Sequence, residues 1–291
     1  MPIKESELIL NPDGSVYHLN LKPENIARTI ILVGDPDRVS KITQHFDSIE
    51  FTTHKREFKT QTGLYKGKRL SVISTGIGPD NIDIVLNELD ALVNINLETR
   101  EVNKELISLD IIRVGTSGSL QSDIPVDSIL LSSHGLDING TLHSYKTESI
   151  SHPEIEDAFI EQSDWSKNKA RPIIVENSNS LAEKFQDANQ KVFKGITVTA
   201  NGFYGPQGRV LRLELQDSGL NKKIDSFKFK DYRFTNLEME TSAIYGLSKL
   251  LGHRAVSLNA IIANRANGTF SKDPKQVISN LIQFSLNKIV E

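Results

Sequence analysis

Ile111-Ile112-Arg113-Val114-Gly115-Thr116-Ser117-Gly118-Ser119-Leu120, near the middle of a 291-residue chain, is the stretch on which the fold turns. Apolar residues broken by one arginine and then by two glycines read as a strand that runs out into a tight turn lined with hydroxyls. A Gly-x-x-Gly turn closing a strand is common and by itself names no ligand. Here Arg113 adds a forked cation, Thr116 a hydroxyl, and the glycines free backbone N–H groups, a set that suits a phosphate or carboxylate.

Toward the N-terminus, Thr29-Ile30-Ile31-Leu32-Val33 is a compact run rich in β-branched residues and reads as a buried strand. Gly34-Asp35-Pro36-Asp37-Arg38 follows it. The glycine leaves the strand, Asp35 is placed to cap a helix, Pro36 takes the first helical position and Asp37 complements the dipole. A cation in a first helical turn is unfavourable unless something negative joins it, so Arg38 is either a solvated surface arginine or one arm of an anion site. From Phe51 to Ser74 the pattern predicts two or three antiparallel strands, with Gly63 and Gly67 as turn points. His54-Lys55-Arg56-Glu57-Phe58 lies within them and fits a charged edge strand. Thr75-Gly76-Ile77-Gly78-Pro79 opens a helix whose apolar residues Ile82, Val85, Leu86, Leu89, Leu92 and Val93 keep helical spacing. This Gly-x-Gly lacks the third glycine of a dinucleotide site.

Toward the C-terminus, residues 94–104 read as a surface insertion, and Ser128–Ser132, Pro172–Val175 and Gly195–Thr199 as further strands. Residues 146–168 are expected to be helical in part. Asn201-Gly202-Phe203-Tyr204-Gly205-Pro206-Gln207-Gly208-Arg209 is either a plain surface loop or one that stacks on a planar ring and reads its edge with an amide and a guanidinium. The polar stretch 216–234 reads as a mobile flap. Leu237-Glu238-Met239-Glu240 is expected to start a helix ended by Gly252, where Glu240 either serves the dipole or accepts hydrogen bonds from sugar hydroxyls. Arg254–Asn264 is the last strand, and a closing helix begins at Asp273-Pro274. The alternation of strands and helices predicts an α/β fold, one domain over residues 1–291 with a central mixed β-sheet flanked by helices and an N-terminal arm over residues 1–20.

Composition narrows the function. Net charge is −3, from 34 basic and 37 acidic side chains, which gives no global field for nucleic acid or an anionic membrane. Any anion site is therefore local. The absence of cysteine excludes thiolate metal sites, disulfides and cysteine nucleophiles, and is compatible with a cytoplasmic location. The seven histidines are scattered without a His-x-x-x-His pair, so no metal site is expected. Residues 1–7 are too polar for a signal peptide, and no apolar run approaches membrane-spanning length.

Six motifs occur in one order: Gly34-Asp35-Pro36-Asp37-Arg38, His54-Lys55-Arg56-Glu57-Phe58, Ser74-Thr75-Gly76-Ile77-Gly78, Arg113-Val114-Gly115-Thr116-Ser117-Gly118, Phe203-Tyr204-x-x-Gln207-x-Arg209 and Glu238-Met239-Glu240. In order and spacing the chain resembles nucleoside phosphorylases of the uridine phosphorylase type, over roughly residues 15 to 290. The resemblance implies that Gly34, Arg38, Arg113 and Thr116 bind phosphate, with Arg56 completing that site from a neighbouring subunit. It implies that Phe203, Gln207 and Arg209 hold a pyrimidine, with Arg265 behind the base. Glu238, Met239 and Glu240 would serve the ribose, and His18 from the neighbour its 5′-hydroxyl. Arg113, Gln207, Arg209 and Glu240 would carry the catalysis. It implies no organic cofactor, phosphate as co-substrate, and in some members a monovalent cation between subunits near Glu57; Asn81 stands here where a serine often helps bind that ion. Expected partners are a small-molecule nucleoside and phosphate, with a homodimer or a hexamer built as a trimer of dimers sharing active sites.

Relatives that cleave purine nucleosides usually carry Ser-Asp after the last strand, the aspartate protonating the leaving purine. This chain has Asn264-Arg265. The expected reaction is reversible phosphorolysis of uridine to uracil and ribose 1-phosphate. A purine or broad-specificity phosphorylase, a nucleosidase and a non-catalytic nucleoside-binding protein are the alternatives. Glycosidic cleavage passes through an oxocarbenium-like sugar, so phosphate held by arginines beneath it can serve as nucleophile with no protein nucleophile or metal.

Overall fold

The run Thr29–Val33 forms strand β1, with all five residues buried, in a computed structural model that describes residues 2–188 and 190–291. Its side chains alternate between two cores: Ile30 and Leu32 pack on one face, Ile31 and Val33 on the other. A strand buried at every position must be covered on both sides. Here α2 (Pro79–Asn94) and α4 (Thr241–Leu250) cover one face, and α1 (Pro36–Thr43) and α5 (Pro274–Val290) the other.

The remaining principal strands are β2 (Ser48–Lys55), β3 (Phe58–Tyr65), β4 (Lys68–Ser74), β5 (Asp110–Ser119), β6 (Ile129–Asp137), β7 (Ile173–Glu176), β8 (Val192–Thr199), β9 (Tyr232–Glu238) and β10 (Arg254–Asn264), with α3 (Pro153–Ser163) outside the sheet. Their order is β9-β8-β6-β10-β5-β1-β4-β3-β2. β1 pairs parallel with β4 and β5, whereas β2, β3 and β4 form antiparallel hairpins. The predicted mixed sheet flanked by helices is present, and it is also more closed than the sequence pattern suggested. β9 pairs antiparallel with β5 through Asn236 opposite Ser119 and Leu237 opposite Gly118, so β5, β9, β8, β6 and β10 close into a ring. The remaining strands extend from it as an open sheet. Register shifts at Gly195/Ile196 in β8 and Ile261/Ala263 in β10 supply the local bending that closure needs. Gly195 is obligatory there, because a Cβ would lie 2.1 Å from Thr235 Cγ2 on β9.

Local chemistry agrees with the sequence at most element ends. The Asp35 carboxylate accepts from the Asp37 N–H at 2.9 Å to cap α1, and Asp273 caps α5 by accepting from the Gln276 N–H. Four expectations are corrected. The tight turn expected at Gly115 to Gly118 is strand, because β5 runs unbroken from Asp110 to Ser119 with Gly115 paired to Asn259 of β10 and Gly118 to Leu237 of β9. Leu237 and Glu238 close strand β9 rather than opening a helix, and α4 begins at Thr241; the Glu238 carboxylate accepts from the Thr241 N–H and caps the helix. Gly63 lies inside β3, where a Cβ would meet Ser48 O at 2.0 Å, and only Gly67 (φ 77°) is a turn point of that hairpin. The flap expected over 216–234 is anchored: a short helix spans Leu220–Ser226, and Phe227 and Phe234 stack at 4.5 Å, both edge-on to Phe159 of α3. Two buried aromatics outweigh the polar majority around them. The 94–104 insertion folds into a small hairpin whose Arg100 carbonyl accepts from the Ile3 N–H of the N-terminal arm. Among the described residues no helix is long and apolar enough to cross a membrane.

Candidate active site

A cleft of about 700 Å³ opens at the carboxyl ends of β1, β4, β5, β9 and β10, where sheets of this kind present their loops to ligands. It gathers Gly34, Arg38, Arg113, Thr116, Phe203, Gln207, Arg209, Glu238, Met239 and Glu240 from four stretches of the chain. Arg265 packs directly behind Gln207. Two expected site residues do not reach the cleft of their own chain. His18 gives its backbone N–H and turns its ring Nδ1 to Glu88, at 2.9 and 2.7 Å, and Arg56 is exposed in the β2–β3 turn with φ 55°.

One end of the cleft is built on Arg113. Its guanidinium lies 2.6 Å from Glu240 Oε2 and 3.2 Å from Glu238 Oε2 and donates to Asn259 Oδ1 at 2.9 Å. Gly115 makes that placement possible, since a Cβ there would fall 2.0 Å from Arg113 Nη1. Burial disfavours the charge, yet Glu238 and Glu240 outweigh it and hold the Arg113 guanidinium above its ordinary value. Burial pushes the Glu238 carboxyl up, opposed by Arg113. Glu240 is fixed from both sides, its Oε1 accepting from the Gly78 N–H at 3.0 Å. Arg38 differs from Arg113. It donates to the Val114 carbonyl at 3.3 Å and, among the described residues, makes no ion pair. Burial and the neighbouring Arg113 charge lower its pKa. Asp35 and Glu240 offset this only in part, and a largely buried guanidinium with no carboxylate in ion-pair contact is an electrostatic deficit that an anion would relieve. Thr116, on the same wall, turns toward this space.

At the other end stand Gln207, Arg209 and Arg265. The buried Gln207 amide oxygen accepts from Arg209 Nη1 at 2.7 Å and from Arg265 Nη2 at 3.1 Å, and Arg265 Nη1 donates to the Gln207 carbonyl at 2.6 Å. With that oxygen taken by two cations, the amide nitrogen is the end left to donate. The Arg209 guanidinium also lies 3.8 Å above the Phe203 ring centroid, so one face of that ring is occupied by the arginine rather than free for a base. No carboxylate pairs with either arginine among the described residues. Arg265 is pushed down to about 10 by burial and by the Arg209 charge, and burial lowers Arg209 as well.

Sequence reading gave Ile77, Ser117 and Phe270 no role in the site and tied Glu57 and Asn81 only to a cation position, yet all five line the cleft. Ser117 carried a signal, lying four residues after Arg113 on one strand and hence on the same face. Glu57 and Asn81 converge where Gly76 has no side chain, within 2.9 and 2.5 Å of where its Cβ would be. Outside the cleft, His134, His152 and Glu176 approach one another closely, but Lys249 Nζ already sits 2.5 Å from Glu176 Oε1 and supplies the countercharge.

The sequence profile of the phosphorylase superfamily matches residues 28–289. The chain is similar to the uridine phosphorylase of Thermococcus kodakarensis, with 31% identity over 266 residues, covering 89% of this chain and 81% of that one. It is also similar to the DeoD-type purine nucleoside phosphorylase of Listeria welshimeri, with 25% identity over 277 residues, covering 94% and 99%. Among solved structures, a Trypanosoma brucei nucleoside phosphorylase described as showing uridine phosphorylase activity matches with a TM-score of 0.88 and 28% identity, over 97% of this chain and 99% of that one. With this profile matched over nearly its whole length and a cleft built from the motifs of such enzymes, the chain belongs to the phosphorylase superfamily.

Proposed function

We propose that the protein catalyses the reversible phosphorolysis of uridine to uracil and ribose 1-phosphate. The observation that carries this reading is that, among the described residues, arginines with no ion-paired carboxylate stand at both ends of one cleft: Arg38 at one, and the Arg209/Arg265 pair around Gln207 at the other. Inorganic phosphate binds to Arg38, Arg113, Thr116 and the Gly34 turn. The ribose lies over Met239 between Glu238 and Glu240. As the glycosidic bond breaks, positive charge grows on the sugar, flanked by phosphate and by the Glu240 carboxylate that Arg113 and the Gly78 N–H hold in place. The electron pair of the bond leaves with the base. Negative charge on the uracil carbonyls then meets the Gln207 amide nitrogen and the Arg209 guanidinium, while Arg265 keeps the glutamine from turning over. Phosphate oxygen attacks the anomeric carbon from the opposite side, and no protein nucleophile is required.

A purine leaving group would instead need a proton donor. At the end of β10 the Asn264 amide is spent on the Gln121 and Ile124 carbonyls, at 2.9 and 2.7 Å, and Arg265 on Gln207, so that corner offers no carboxylic acid. The uridine phosphorylase of Thermococcus kodakarensis and the Trypanosoma brucei nucleoside phosphorylase with uridine phosphorylase activity support the same choice. His18 and Arg56 face away from their own cleft, which fits a dimer in which a second copy supplies them, with three dimers forming a hexamer. The enzyme needs no organic cofactor, Glu57 and Asn81 offer oxygen ligands for a monovalent cation at the subunit interface, and a cytoplasmic location suits the cysteine-free chain. Incubating the protein with uridine or inosine, with and without phosphate, tests the proposal. Phosphate-dependent release of uracil is expected. Release without phosphate would make it a nucleosidase, preference for inosine a purine phosphorylase, and no release of either base a binding protein.

A further inference from the structure

The ring of strands β5, β10, β6, β8 and β9 has a polar interior. One hydrogen-bonded side chain from each strand follows the ring in order. Arg113 Nη1 of β5 donates to Asn259 Oδ1 of β10 at 2.9 Å, and Asn259 Nδ2 to Ser132 Oγ of β6 at 3.2 Å. The Ser132 and Thr197 hydroxyls meet at 2.6 Å, Thr197 Oγ1 of β8 donates to Asn236 Oδ1 of β9 at 2.8 Å, and Asn236 Nδ2 donates to Ser117 Oγ, back on β5, at 2.9 Å. None of the six is more than 6% exposed.

The guanidinium fixes the direction of this circuit at its first link, because arginine can only donate. Asn259 must present its oxygen to Arg113 and its NH2 to Ser132. Thr197 spends its one proton on the Asn236 oxygen, so at the Ser132–Thr197 contact Ser132 donates and Thr197 accepts. The Asn236 oxygen is thereby occupied, so its NH2 faces Ser117. The Ser117 oxygen has then accepted, and its own proton is left for the cleft that the hydroxyl lines. Successive bonds of this kind polarise one another in a low-dielectric interior.

We propose that Asn259, Ser132, Thr197 and Asn236 form a directional relay of positioning residues: Asn259 orients Arg113 for the anionic substrate at one end, and Asn236 commits Ser117 to act as a hydrogen-bond donor to a substrate oxygen at the other. None of the four relay residues lines the cleft. The proposal builds on the phosphorolysis reading for its kinetic readout, while direct binding measurements test it independently.

The experiment compares wild type, Asn259→Leu, Asn236→Leu, Ser117→Ala and the Asn236→Leu/Ser117→Ala double variant. Initial rates with uridine and phosphate are measured alongside calorimetric titrations of inorganic phosphate and of uridine. Loss of one hydrogen bond to a ligand corresponds to about tenfold in affinity. Asn259→Leu, which cuts the relay at its first link, should weaken phosphate and uridine about tenfold each, whereas Asn236→Leu should weaken uridine about tenfold and leave phosphate little changed. The double variant should bind uridine no worse than Ser117→Ala alone, because both changes remove one donor. Thr197→Val cuts the relay at a nearly isosteric position; should a leucine variant fail to fold, it still predicts weaker uridine binding with phosphate binding retained. Uridine binding retained in Asn259→Leu, phosphate binding lost in Asn236→Leu, additivity in the double variant, or an unchanged Thr197→Val would overturn the relay. If wild type releases no uracil, the catalytic reading falls, and the two titrations still decide the relay.

Discussion

The two ends of the cleft use arginine in opposite ways. Arg113 is buried against two carboxylates, and its charge is balanced before any ligand arrives. Arg209 and Arg265 share a neutral glutamine and have no carboxylate to balance them. A paired arginine organises its neighbours: Arg113 holds Glu240 where a ribosyl cation would form and starts the hydrogen-bond circuit of the barrel. An unpaired one marks where negative charge must come from outside. Arg38 sits beside the paired arginine yet behaves like the unpaired pair, which places the two anions of the reaction at opposite ends of one cleft.

Removing the unpaired charges should therefore hurt most. Arg38→Ala is expected to lower kcat/KM for phosphate on the order of a thousandfold, the scale of losing a preorganised charge contact in a water-poor site. Steady-state kinetics at varied phosphate would show it, and a near-normal value would remove Arg38 from the anion site. Arg209→Ala comes next, with turnover of uridine falling on the order of a hundredfold; near-normal phosphorolysis would contradict the assignment of the base end. Gln207→Glu turns the second end into a copy of the first by placing a carboxylate between Arg209 and Arg265. Turnover should fall on the order of tenfold, since a carboxylate cannot donate to uracil, while the melting temperature rises as the arginines gain a countercharge. A variant that gains activity would show that charge deficit is not what the base end supplies.

The smallest effect lies outside both ends. His134 is pushed down to about 4 from 6.5 by burial and by the adjacent His152. Between those values the unfolded chain holds a proton that the folded chain does not. The contribution is complete above pH 6.5 and is lost as pH falls toward 4, by up to about 3 kcal/mol. His134→Phe should flatten the melting temperature between pH 5 and 7 without altering kcat/KM for phosphate; an unchanged acid slope would assign the sensitivity elsewhere.

The difference between the ends also explains what could be read from sequence. Local signals sufficed where residues act through neighbours in the chain: β1 by its β-branched run and the α1 cap by Asp35-Pro36, whereas the glycines after Arg113 signalled a turn and lie instead inside β5. Glu238 was placed in a helix because acidic residues suit a first turn, and only the pairing of β9 with β8 and β5 shows it ending a strand and capping from outside. Asn259 and Asn236 are fully buried in their strands, and nothing adjacent in sequence explains why a polar side chain should stand there. Their partners come from strands far away in sequence, so their purpose appears only when the barrel closes. Likewise, His18 and Arg56 belong to the candidate site by resemblance, and nothing within one chain brings them to it.

Product stoichiometry tests the central claim most directly. With wild-type protein and uridine, initial rates are followed as inorganic phosphate is titrated from zero, and ribose 1-phosphate is quantified beside uracil. The account predicts saturation in phosphate, no uracil release at zero phosphate, and one ribose 1-phosphate for each uracil. A finite rate without phosphate, with free ribose as the sugar product, would contradict it.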